Sequence, residues 1–119
     1  MNIMFEDSIT DEIKTRYILL PLDTFHFNDI NINRTAYCLI ENTPIMEMFD
    51  VDRYLNLHHT LLHNYAKKNW LFCETAIENL KGRWNEEVDS FYENLLERVT
   101  LYKENDPGDS WTAVIPAKC

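Results

Sequence analysis

The chain has 119 residues, 45% hydrophobic and 13% aromatic, with only two glycines and four prolines. That composition is globular and far from disorder, and the length suits one domain, since halving it leaves too little apolar surface for two cores. Twenty acidic against eleven basic residues, a formal charge of -9, repel phosphate backbones and exclude a general nucleic-acid binder.

In chain order, residues 1–49 read as strand-rich. A short helical opening over Ile9 to Arg16 has Ser8 or Asp7 as its cap. The run Tyr17-Ile18-Leu19-Leu20 leads through Pro21 to Phe25 and Phe27 on either side of His26, and this alternation of period two predicts an extended, half-buried segment. Pro21 places it at an edge or a bulge. The polar stretch Asn28 to Asn33 reads as a turn, and Thr35 to Glu41 as a second strand, so a β-hairpin is the economical arrangement.

From Asp50 the period changes to 3.6. Residues 50–105 read as three helices, the first capped by Asp50 with Val51, Tyr54, Leu55, His58, Leu61, Leu62 and Tyr65 on its apolar face. Lys67 and Lys68 favour the carbonyl end of that helix, and Asn69 caps a second one, which buries Trp70, Cys73, Ile77 and Leu80 before Gly82 ends it. A third begins at Asn85 with Glu86 and Glu87 in its first turn and presents Val88, Phe91, Tyr92, Leu95, Val99 and Tyr102 on one face. Asp106-Pro107-Gly108-Asp109 stops it, and residues 106–119 form an arm, either a short strand or a packed tail, whose Trp111, Val114 and Ile115 need cover. The predicted fold is α+β, mostly α: an N-terminal β-hairpin packed on a three-helix antiparallel array with a C-terminal arm.

Aligned on Trp70, the segment Leu57 to Leu80 resembles one helix-turn-helix unit of a tetratricopeptide repeat, with Tyr65 on the first helix, Asn69-Trp70 opening the second and Cys73 at the small-residue position. Leu61 and Lys68 stand where the repeat prefers glycine, and no second copy of about 34 residues follows, which excludes a multi-repeat superhelix. Residues 55–118 also look like the helical extension that follows the catalytic domain in some class III adenylate cyclases, through Tyr92, Arg98, Pro107, Trp111 and Val114. That extension holds none of the cyclase's metal or nucleotide residues, so the resemblance implies a shape and no chemistry. The short chain with its LLPLDTF start is further similar to small uncharacterised proteins of marine tailed phages.

Reactive constellations are sparse. His59 and His63 are four apart, which on a helix places both imidazoles on one side with Asp52 on the same stripe, half of a divalent-metal site. Thr60 stands where an HExxH motif would have its glutamate. His58, on the apolar face, reads as a hydrogen-bonded core histidine. Cys73 with His63 as base would make a nucleophile, but its helical phase buries it as a small hydrophobe. Trp70, Trp84, Phe91, Tyr92 and Tyr102 would line a groove or build a core, and their phase favours core. With only Gly82 and Gly108, no phosphate-binding P-loop is possible.

Cys38, Cys73 and Cys119, odd in number and without paired spacing, argue against a disulfide framework and for a reducing, cytoplasmic setting. The start MNIMFEDSITDE lacks the basic and apolar regions of a signal peptide, and no apolar run approaches the ~20 residues that span a bilayer. These features together predict a non-catalytic accessory or protein–protein interaction module that binds a protein partner or itself, with no nucleic acid and no membrane. The alternatives are a small metal-binding protein or metal-dependent enzyme using His59, His63 and Asp52, and an acidic nucleic-acid mimic.

Overall fold

The structure, a computed structural model, describes residues 2–41, 48–84 and 86–117. Among these residues four strands and four α-helices follow one another as β1 (Ile3–Phe5), α1 (Asp11–Arg16), β2 (Tyr17–Phe27), β3 (Ile32–Glu41), α2 (Met48–Ala66), α3 (Trp70–Leu80), α4 (Asp89–Glu104) and β4 (Val114–Ala117). The α+β class is as the sequence implies. The chain resolves into two compact units, Met1–Thr43 with Thr112–Cys119, and Pro44–Trp111.

In the first unit the hairpin is the centre of a larger sheet, ordered β1-β3-β2-β4. β2 and β3 pair antiparallel from Tyr17↔Glu41 to Phe27↔Ile32, with a shift of register between Pro21 and Thr24. Pro21 therefore stands where its chemistry allows: it borders the bulge, and β4 runs parallel only to Thr24–Phe27, so no ladder on its outer side requires the missing N–H. Strand β3 starts at Ile32, earlier than the polar composition of Asn28 to Asn33 suggests, because Asn31 takes a left-handed φ of 52° and closes the turn there.

Two further strands extend the hairpin. β1 is three residues long and pairs Ile3↔Cys38 through Phe5↔Ala36, too short for an alternation to register. The arm supplies β4. On one face of the sheet Ile18, Leu20, Ala36, Cys38 and Ile40 are buried, and the same face continues past the bulge to Phe5, Phe25, Phe27 and Arg34. Arg34 lies 4.5 Å over the Phe5 ring and donates two hydrogen bonds to Asp7, which holds that carboxyl below its ordinary range. Asp7 is thus an ion-pair partner and no helix cap. The cap of α1 is Thr10, whose hydroxyl accepts from the Ile13 N–H just ahead of the acidic Asp11-Glu12 turn.

In the second unit three helices pack in sequence, α2 on α3 and α3 on α4. Their relative direction follows from paired contacts. Leu61 meets Cys73 and Tyr65 meets Trp70, while Glu74 pairs with Lys103 and Lys81 with Glu93, so α3 runs antiparallel to both neighbours. Among its described residues His58, Leu61, Tyr65, Cys73, Ala76, Ile77, Leu80, Trp84, Val88, Phe91, Tyr92, Leu95 and Val99 are buried, whereas Val51, Tyr54, Leu55, Leu62 and Tyr102, which the 3.6 period also selects, are only partly covered.

The helices differ from the sequence reading in several places, one of them Asn69, whose side chain makes no capping bond to α3 and donates to Asn64 Oδ1 instead. α2 begins at Met48, so Asp50 lies inside its first turn instead of capping it. α4 begins at Asp89: Glu86 takes a φ of 64° that no helix tolerates, which leaves Glu86 and Glu87 in the preceding turn, and Asn85 lies outside the described residues. Trp70, expected to be buried, is half-buried, since as the first residue of α3 it lies at the end of the packed region. The C-terminus of α2 is a Schellman motif, with Lys68 N–H bonded to the Tyr65 carbonyl and Asn69 N–H to that of Asn64. Lys68 occupies the left-handed position, φ 64°, a conformation that glycine would adopt at no steric cost.

Candidate functional site

The histidine stripe comes first, because it carried the sequence's strongest hint of chemistry. His59, His63 and Asp52 are all exposed on α2. Among the described residues no three histidine, cysteine, aspartate or glutamate side chains are grouped closely enough to hold a metal ion. His58 points the other way. Fully buried, its Nδ1 is hydrogen-bonded to the Tyr92 hydroxyl of α4 at 2.8 Å, with the Phe91 ring 6.1 Å away. That pair joins the first and third helices of the unit and satisfies two polar groups that would otherwise be costly to bury.

Cys73 is equally inaccessible. Its thiol is directed at the Leu61 carbonyl, 3.9 Å away, and burial above all raises its pKa to about 11. A nucleophilic cysteine needs the opposite shift. His63, the base imagined for it, is on the exposed side of α2 while Cys73 faces the core.

The aromatic residues divide into two groups. Trp84, Phe91 and Tyr92 are buried, as the core reading requires, and the Trp84 indole N–H has no hydrogen-bond partner among the described residues. Trp70 and Tyr102 instead join Tyr65 and Trp111 in a ring cluster at one end of the helices. Trp111 touches all three others, at 5.1 Å to Tyr65, 5.6 Å to Trp70 and 5.4 Å to Tyr102, mostly edge to face. The turn that delivers Trp111 is clasped by Lys68, whose ammonium donates to the Asp106 carboxylate at 2.9 Å and to the Gly108 carbonyl at 2.7 Å.

In the first unit a hollow of about 340 Å³ is lined by Met4, Ile13, Tyr17 and Leu39 together with Glu12 and Arg16. Its charged residues approach each other, Arg16 to Glu12 at 3.9 Å, and both side chains are exposed. Nothing in it converges on a ligand.

The feature that sequence reasoning missed is a face. Leu71 is 72% exposed and Phe72 38% at the start of α3, next to residues whose neighbours Cys73, Ala76 and Ile77 are buried. Thr75 and Asn79 share this side, and each spends its side-chain donor on a carbonyl of its own helix, Thr75 on Leu71 and Asn79 on Thr75. Glu78 is the exposed charge beside them. The signal was available: Trp70, Leu71, Phe72 and Cys73 are four consecutive large or apolar residues, and one helix face cannot bury them all. Comparison with family models, with curated proteins and with solved structures returned no match.

Proposed function

We propose that this protein is a non-catalytic interaction module, in which the helical unit presents α3 to a protein partner. The observation that carries the reading is the exposure of Leu71 and Phe72 on a helix whose other side is fully packed. Covering this face removes apolar surface from water, worth roughly 25 cal/mol per Å², and costs little polar desolvation, because the Thr75 hydroxyl and the Asn79 amide already bond to backbone carbonyls. The antiparallel helix triple is compatible with a tetratricopeptide-like unit, a scaffold for such docking. The occupant we infer is an amphipathic segment of a partner protein with apolar anchors and a basic rim, matched to Glu78 and to a chain of formal charge -9.

The test is retention of a partner from the native host by the wild-type chain and by Leu71→Glu/Phe72→Ser. These surface substitutions leave the fold intact, and the reading expects the retained partner to be lost. A partner held equally by both chains, or none held by the wild type, contradicts it.

A further inference from the structure

The path of the chain between its two units contains a backbone feature that the interaction reading leaves unused. The helical unit ends at Trp111, and the residues from Thr112 onward belong to the first unit, whose strand β4 begins at Val114. Just past that boundary, within the first unit, Ala113 is held at φ 63°, in the left-handed region. For an L-residue that conformation brings Cβ against the following carbonyl and lowers its population roughly tenfold. Three other non-glycine residues share it, Asn31, Lys68 and Glu86. Asn31 belongs to a type that adopts this region readily, and Lys68 belongs to a hydrogen-bonded helix cap with its ammonium clasped. Ala113 has no polar side chain to compensate it.

Immediately beyond Ala113, β4 lies along the outer edge of β2, pairing Thr24↔Val114 through Phe27↔Ala117. It is four residues long, and Pro116 within it offers no N–H. As an edge strand it can leave without breaking the pairing of β2 with β3. The near side of the link, in contrast, is fixed by the Trp111 cluster and the Lys68 clasp.

We propose that β4 is an exchangeable arm by which two copies of this chain associate, each laying Val114–Ala117 along Thr24–Phe27 of the other copy's β2, with Thr112 and Ala113 as the hinge. A second copy is the occupant that fits without new chemistry, since it presents the same edge, register and side chains that β4 uses within its own chain. What the exchange gains is relief at the hinge: an opened Ala113 relaxes to extended backbone that continues into the strand. Both copies gain it.

This goes beyond the docking on α3, and the two fail separately: Leu71→Glu removes docking on α3 and leaves the arm-exchanged dimer, whereas Ala113→Gly does the reverse. The experiment is light scattering over a range of concentrations on the full chain, on Ala113→Gly and on Ala113→Pro, with circular dichroism to establish that each is folded. Glycine accepts the left-handed φ freely and favours the closed chain; proline, fixed near about -65°, cannot close. The wild type should pass from the single-chain mass of 14.2 kDa to twice that value as concentration rises. Ala113→Gly should need about a hundredfold more protein to reach the same dimer fraction, roughly tenfold for each hinge, and Ala113→Pro should be dimeric where the wild type is still dissociated. A wild type of single-chain mass up to millimolar concentration, or an Ala113→Gly chain that associates as strongly as the wild type, overturns the proposal.

Discussion

Replacing Tyr92 by phenylalanine deletes one oxygen from the centre of the helical unit and changes almost nothing else. The ring keeps its packing against Phe91 and His58, with centroids 5.9 Å and 5.7 Å away, but His58 loses the hydroxyl that its Nδ1 meets at 2.8 Å. Both side chains are fully buried, so water cannot replace the missing partner without opening the core. A buried polar group deprived of its partner costs about 1–3 kcal/mol, and a value near 2 kcal/mol is a sizeable part of the stability of about 5–15 kcal/mol typical of a domain. Urea titration followed by far-ultraviolet circular dichroism measures it. In a cycle with His58→Phe, the double variant should lose about 1 kcal/mol less than the two single losses added together, because the bond between the two side chains is then counted once and not twice. A Tyr92→Phe loss under about 0.5 kcal/mol, or single losses that simply add, would refute the account of His58 as a core histidine held by α4.

Three further outcomes follow from the same geometry. Cys73, with its thiol raised to about 11 by burial, should resist alkylation in the folded protein at pH 8 and react at an ordinary thiol's rate in denaturant, read by mass mapping of the modified peptides; rapid native labelling would contradict its placement. Asp106 is held below its ordinary 3.8 by the Gly108 N–H and then by the Lys68 ammonium, so its contribution is complete above that value and is lost as pH falls through the depressed one; tryptophan fluorescence in acid should show a transition that Asp106→Asn lacks. Trp70→Ala should cost about 1–3 kcal/mol, between a surface and a core value, because the half-buried ring is held by three aromatic neighbours; a loss beyond about 4 kcal/mol would mean the ring is buried after all.

The helical unit was legible because its signal is periodic and long. His58, Leu61 and Tyr65 fall on one stripe of α2, and Phe91, Tyr92, Leu95 and Val99 on one stripe of α4, so spacing finds these buried residues, although it also selects the part-covered Val51, Tyr54, Leu55, Leu62 and Tyr102. The ends were less so. Asp50 has the chemistry of a cap, yet α2 starts two residues earlier, and Glu86 and Glu87 have the chemistry of a first turn that a left-handed Glu86 forbids. In the sheet, β2 and β3 announce themselves by alternation, whereas β1 and β4 exist because an edge is available to pair with, a property of the tertiary fold and not of Ile3–Phe5 or Val114–Ala117. The candidate site was hidden for a related reason. Trp70, Leu71, Phe72 and Cys73 form a continuous apolar run, and only the orientation of the helix decides that Cys73 enters the core and Leu71 remains in water. His59 and His63 drew attention by their spacing, but they occupy the exposed side of α2.

The account is tested most directly by partner binding through α3, measured as the fraction of a retained host protein co-eluting with the chain before and after Leu71→Glu/Phe72→Ser, at unchanged helicity. Loss of that protein from the doubly substituted chain is the predicted result. Undiminished retention would place the working surface elsewhere and contradict the claim that this helix face is what the protein offers.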